Sequence, residues 1–95
     1  MGKTMEKPSE VREINYLQYQ KLRGIMFWRR EQHIAKRGGD IASVNMADKA
    51  IRYLMEECDK LGIPYSLQNN VLNYFDVHTD VLEILRDLKV RVKHS

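Results

Sequence analysis

Between positions 21 and 37 the chain carries Lys21, Arg23, Arg29, Arg30, Lys36 and Arg37 against a single acid, Glu31, and interleaves them with Phe27, Trp28 and His33. Guanidinium groups hold phosphates or carboxylates through paired hydrogen bonds and stack on planar rings, and aromatic faces accept unpaired bases. On a helix these residues recur in two adjoining seven-residue rows. Arg12, Tyr19, Met26 and His33 form one and Tyr16, Arg23, Arg30 and Arg37 the other, with Phe27 and Ile34 alongside. The chemistry this pattern suits is recognition of a polyanion. The residues expected to carry it are Arg12, Tyr16, Tyr19, Arg23, Phe27, Arg29, Arg30, His33, Lys36 and Arg37. A solvated face that serves only solubility has the same composition, with its rings packed under a neighbouring element.

Other reactive residue types are sparse. Asp76, His78 and Asp80 alternate, so on a strand they would share a face and offer two carboxylates and an imidazole to a divalent metal or a proton. Three ligands fall short of a site, and Asp80 serves equally as a helix cap. Cys58 sits on an apolar seam with no neighbouring cation in sequence, which reads as a small buried hydrophobe. His33 has no second histidine at metal spacing, and Gly38-Gly39 is a helix stop rather than a phosphate loop. The expectation is a binding protein, not an enzyme, with no metal or cofactor.

Charge is unevenly spread. Residues 38 to 87 hold Lys49, Arg52, Lys60 and Arg86 against nine acids, and Lys89, Arg91 and Lys93 restore a basic end, so the net charge of +3 conceals a dipolar molecule. Its 95 residues, 43% hydrophobic and 31% charged, suit one folded domain over 1–95, with 1–8 a flexible lead and 93–95 a frayed end. A lone cysteine favours a reducing compartment, and no apolar run reaches the roughly 18 residues of a membrane span. Glu6 stands where a myristoylation signal wants Ser or Thr. The expected location is the cytoplasm.

Four elements must position the cationic stripe. Ser9, followed by Glu10 and Glu13, predicts the start of a first helix that buries Val11, Ile14, Leu22 and Ile25, flanked by Leu17 and Trp28. Beyond Trp28 that arc holds Arg29, Gln32 and Lys36, so the last turns should project as a polar overhang until Gly38-Gly39. Asn45, with Asp48 three residues on, is the most box-like cap for a second helix. Its seam of Val44, Ala47, Ile51, Leu54, Cys58 and Leu61 stops at Gly62, before Pro64. Ile63, Tyr65 and Leu67 alternate before Asn69-Asn70, and Val71, Asn73, Phe75 and Val77 after it, which favours an antiparallel hairpin over a short helix capped by Ser66. Thr79 or Asp80 then caps a last helix burying Val81, Ile84, Leu85, Leu88 and Val92.

The predicted class is α+β, mainly α: two longer helices, a short antiparallel β-hairpin and a C-terminal helix, with an all-α four-helix bundle as the alternative. A helix-turn-helix reader is disfavoured because the predicted turn, Gly38 to Val44, is too long and helix two is acidic at Glu56, Glu57 and Asp59. The leading function is contact with nucleic acid or another polyanion. The alternative is an adaptor or inhibitor docking on an acidic protein surface, as small regulators of phages and mobile elements do, an association of composition alone. Either a monomer or a homodimer fits, since the seam of helix two could pack within the chain or against a copy.

Overall fold

The first long helix begins at Asn15, not at Ser9, which lies outside the residues described by the computed structural model, 11–74 and 80–93. Asn15 and Gln18 form a reciprocal capping box: the Gln18 amide donates to Asn15 Oδ1 and the Asn15 amide to Gln18 Oε1, both at 2.8 Å. Chain direction changes there, and the preceding Glu13–Asn15 is strand β1 instead of helix. The remaining elements are α1 (Tyr16–Arg37), α2 (Ile41–Lys60), α3 (Tyr65–Leu72), α4 (Val81–Asp87) and strand β2 (Arg91–Lys93). The protein is mainly helical, with one small parallel sheet.

Helix α1 stops where the glycines require. Gly38 is the C-cap, its amide donating to the Ile34 carbonyl at 3.1 Å, and Gly39 takes φ +74°, a region open to glycine at no steric cost. Asp40, not Asn45, caps α2: its carboxylate accepts from the Ser43 amide and hydroxyl at 3.1 and 2.7 Å. The connection is thus only Gly38 to Asp40, and helix two starts a turn earlier than Asn45 suggested.

Such a short link leaves α1 and α2 antiparallel along their lengths. Lys21 reaches Glu57, Gly24 abuts Leu54 and Gln32 bonds Val44, pairs that step in opposite directions along the two helices. The α2 seam holds: Ala47, Ile51 and Cys58 are buried, with Val44, Leu54 and Leu61 half-buried. The α1 face is rotated from the predicted one. Ile14, Leu22 and Ile25 are buried as expected, but Leu17 is exposed and Tyr19 and Met26 take its share of the core. Nor do the last turns of α1 hang free, because the first turns of α2 cover Gln32, which is 8% exposed.

The antiparallel hairpin is absent from the described residues; 65–72 is helix α3, closer to the all-α alternative. Helical spacing lets Leu67, Gln68 and Val71 face inward together, whereas alternation would have turned Gln68 outward. Gln68 Nε2 donates to Asp59 Oδ1 at 2.8 Å and to the Ile63 carbonyl at 2.9 Å, which fastens α3 to the end of α2. The asparagines are accommodated on the surface side, Asn70 donating to the Ser66 carbonyl one turn back. Of the predicted second strand, residues 75–77 lie outside the described residues.

Asp80 caps α4 as expected, accepting from the Glu83 amide at 3.1 Å, and Val81, Ile84 and Leu85 are buried. The helix is shorter than predicted. It ends at Asp87, Leu88 is exposed, and Val92 belongs to β2, which pairs with β1 in the register Glu13–Arg91, Ile14–Val92, Asn15–Lys93. Lys93 is the last residue of β2, and 94–95 of the predicted frayed end lie outside the described residues. No helix among the described residues is long and apolar enough to cross a membrane.

Candidate functional site

At about 100° per residue the 22 residues of α1 present three longitudinal strips. One, carrying Tyr19, Leu22, Ile25 and Met26, is core. A second, outward strip carries Tyr16, Arg23, Phe27 and Ile34. Phe27 is 54% exposed with its ring edge-on to Trp28 at 5.4 Å, and Gln20, Arg23, Gly24 and Phe27 line a shallow concavity there. The third strip continues the core face beyond Met26: Arg29, His33 and Lys36 line another concavity with Gln32 and Val44.

Gln32 orders this third strip. Its Nε2 donates to the Val44 carbonyl at 3.2 Å while its Oε1 accepts from Arg29 Nη1 at 2.7 Å, so a guanidinium on α1 is held through a buried amide to the backbone of α2. Composition had placed Gln32 in a solvated overhang; a glutamine one turn beyond the last apolar residue of the stripe is the one signal that could have singled it out.

Position also protects the charge of this end. The acids Glu56, Glu57 and Asp59 lie at the far end of α2, opposite Lys21, which pairs with Glu57 at 4.0 Å. From Glu57 to Val44 is 13 residues, about 20 Å of helix, roughly two Debye lengths at physiological salt. Of the nearer acids, Asp48 pairs with Arg52 at 2.8 Å, and Asp40 accepts from Ser43, first through the hydroxyl and then the amide, which holds its carboxyl below its usual value; Glu31 is exposed on α1 itself, a single acid among the cations. Arg23, Lys36 and Arg37 form no ion pair with any described residue.

Two of the predicted site residues are elsewhere. Tyr19 is 9% exposed and packs in the core, its ring centroid 5.6 Å from that of Tyr16. Arg12 precedes β1, its carbonyl accepting from the Arg91 amide at 2.9 Å, at the opposite end of α1 from Arg37. Phe27, Arg29, Arg30, His33, Lys36 and Arg37 share the distal half of α1, with Arg23 and Tyr16 on the outward strip nearer its start.

The helix-turn-helix question has a different answer from the one the predicted turn length suggested. The turn is short enough, but α2 lies antiparallel along α1 instead of crossing it at about 90–120°, so it is not presented to a groove. Cys58 is fully buried, and burial first, then the neighbouring Asp59 carboxylate, pushes its thiol up to about 11. No group of metal ligands occurs among the described residues; Asp76 and His78 lie outside them. No family model matches the chain, and neither do curated proteins or solved structures.

Proposed function

We propose that the protein binds nucleic acid through α1 from Arg23 to Arg37. Arg23, Arg29, Arg30, His33, Lys36 and Arg37 face phosphates, and Phe27 offers a ring to an unpaired base. The observation that carries this reading is the segregation of charge along the α1–α2 pair: the acids of α2 cluster about 20 Å from the cationic end. A preset guanidinium at Arg29 adds directional hydrogen bonding to that field. The role is binding, not catalysis.

The test is fluorescence anisotropy with single-stranded and duplex oligonucleotides over a range of salt. Replacing Arg23, Lys36 and Arg37 together by Gln should weaken binding and lower the log–log salt slope by about 2 to 3, from roughly 0.7 per phosphate contact on single strands and 0.9 on duplex. A slope unchanged by the triple substitution, or no binding at low salt, refutes the reading. Docking on an acidic protein surface is the second reading, favoured by the exposed Ile34 and Ile41 beside the same cations. Capture of one protein from lysate with equal yield before and after nuclease would select it.

A further inference from the structure

A second cationic surface lies at the other end of the molecule. Between α4 and β2 runs a concavity lined by the apolar Leu82, Leu85, Val90 and Val92 and by the cations Arg86, Lys89 and Arg91. The acids of α4, Glu83 and Asp87, fall more than about 100° round the helix from the middle of this groove. Arg86 and Lys89 form no ion pair with any described residue.

Lys89 holds a position that the chain elsewhere gives to glycine. Helices α1 and α2 end with Gly39 at φ +74° and Gly62 at φ +78°, whereas after α4 it is Lys89 that takes φ +62°. The turn is closed by the Val90 amide on the Leu85 carbonyl at 2.8 Å. A side chain at positive φ costs the fold stability that glycine would spare. The sequence here keeps a cation where the backbone favours none.

The sheet itself displays what β2 accepts. Across β1, Glu13 stands opposite Arg91, with Glu13 Oε1 receiving Arg91 Nη2 at 3.2 Å, and Ile14 stands beside Val92. Acid, apolar, polar on β1 thus answers Arg, Val, Lys on β2. The sheet has two strands among the described residues, so the edge of β2 away from β1 meets no described strand. A strand edge that no strand covers can take a further one through main-chain hydrogen bonds, with alternate side chains setting specificity.

We infer that β2 and its groove accept an extended acidic segment of a partner protein as a third strand, acids facing Arg91, Lys93, Lys89 and Arg86 and an apolar side chain lying beside Val92. The apolar lining selects a peptide over a bare phosphate, and strand pairing demands acid and apolar residues in alternation. This site is independent of the cationic half of α1. Asn15, where the sheet ends, is 14 residues or about 21 Å of helix axis from Arg29.

The experiment uses a labelled peptide of alternating Glu and Val with Gly-Ser ends, and a scrambled peptide of the same composition with its acids clustered. The alternating peptide should bind, with amide shifts in the protein at Arg91, Val92 and Lys93. Arg86→Gln with Lys89→Gly should weaken it about threefold to tenfold, the loss expected for two exposed ion pairs. Lys89→Gly alone should leave the melting temperature unchanged or higher and leave oligonucleotide binding untouched. Equal binding of the scrambled peptide, shifts confined to the α1 cations, no binding of either peptide, or a lowered melting temperature with unchanged affinity would each overturn the inference.

Discussion

Gln32 and Val44 are joined across the α1–α2 interface by a side-chain amide on a main-chain carbonyl at 3.2 Å, and the same amide receives Arg29 at 2.7 Å. A structural bond and a recognition side chain therefore share one residue. Gln32→Leu keeps the volume and removes both bonds, so it should cost about 1–2 kcal/mol in urea unfolding, from about 1 for each typical hydrogen bond. It should also weaken oligonucleotide binding, because Arg29 loses its fixed geometry, whereas Arg29→Gln should weaken binding without the stability loss.

Phe27 separates stability from binding in the opposite way. Its ring is more than half exposed, so Phe27→Ala should change stability by no more than about 0.5 kcal/mol. Stacking of a base on an aromatic side chain is worth about 1–3 kcal/mol, so affinity for single strands should fall by that amount while duplex affinity holds. Equal losses on both would assign Phe27 to packing instead.

Gly24 is set by close approach of α2. A Cβ built there lies 3.0 Å from Leu54 Cδ1 and 3.3 Å from Cδ2, so any branched side chain must displace Leu54. Gly24→Val should cost about 1–3 kcal/mol, the usual penalty of overpacking. In a Leu54→Ala background the added cost of Gly24→Val should largely vanish, a coupling that a double-mutant cycle in urea measures directly.

Cys58 ties folding to alkaline pH. Its thiol, fully buried, is raised to about 11 in the folded chain from 9.0, chiefly by desolvation. A group whose folded value is raised contributes stability fully below the unfolded value and loses it as pH climbs through the folded one. Stability should therefore fall between about pH 9 and 11, and Cys58→Ala should remove that part of the slope. Near neutrality, thiol reagents should modify the native protein only as fast as it unfolds.

Asp40 works on the acid side. Its carboxyl is held below the usual 3.8 by the Ser43 hydroxyl and then the Ser43 amide, so its contribution is present above the unfolded value and is lost as pH falls through the folded one. Asp40→Ala should lower the melting temperature at pH 7, and the difference from the unmutated chain should shrink below about pH 4. A difference constant down to pH 2 would show that the cap does not depend on the charge of the carboxylate.

Local rules of the chain reach a long way into this fold. The α2 seam, the glycine stops after α1 and α2, the Asp80 cap and the burial of Ile14, Leu22 and Ile25 all follow from spacing and backbone preference, which act over one or two turns. The capping box at Asn15 and Gln18 is equally local, yet the acids after Ser9 point to an earlier start and the box is not singled out from the sequence. Residues 65–72 are a different case, because alternation and helical spacing are both satisfied by so short an apolar pattern. Docking of Leu67 and Val71 on the core, with Gln68 bonded to Asp59, chooses the helix.

The candidate site divides along the same line. Its cations, its rings and their placement on one long helix are written in the order of residues, since a period of about 3.6 fixes which of them share a strip. Which strip is wet was decided only by packing. Tyr19 and Met26 turn inward to share one buried cluster with Leu67 and Val71 of α3 and Ile84 and Leu85 of α4, and Gln32 is buried because a three-residue turn brings α2 back at once. The pairing of β1 with β2 joins residues separated by 78 positions, for which no local preference can select a partner. Contacts at such separation depend on the summed fit of the whole core, and that sum exists only in the folded chain.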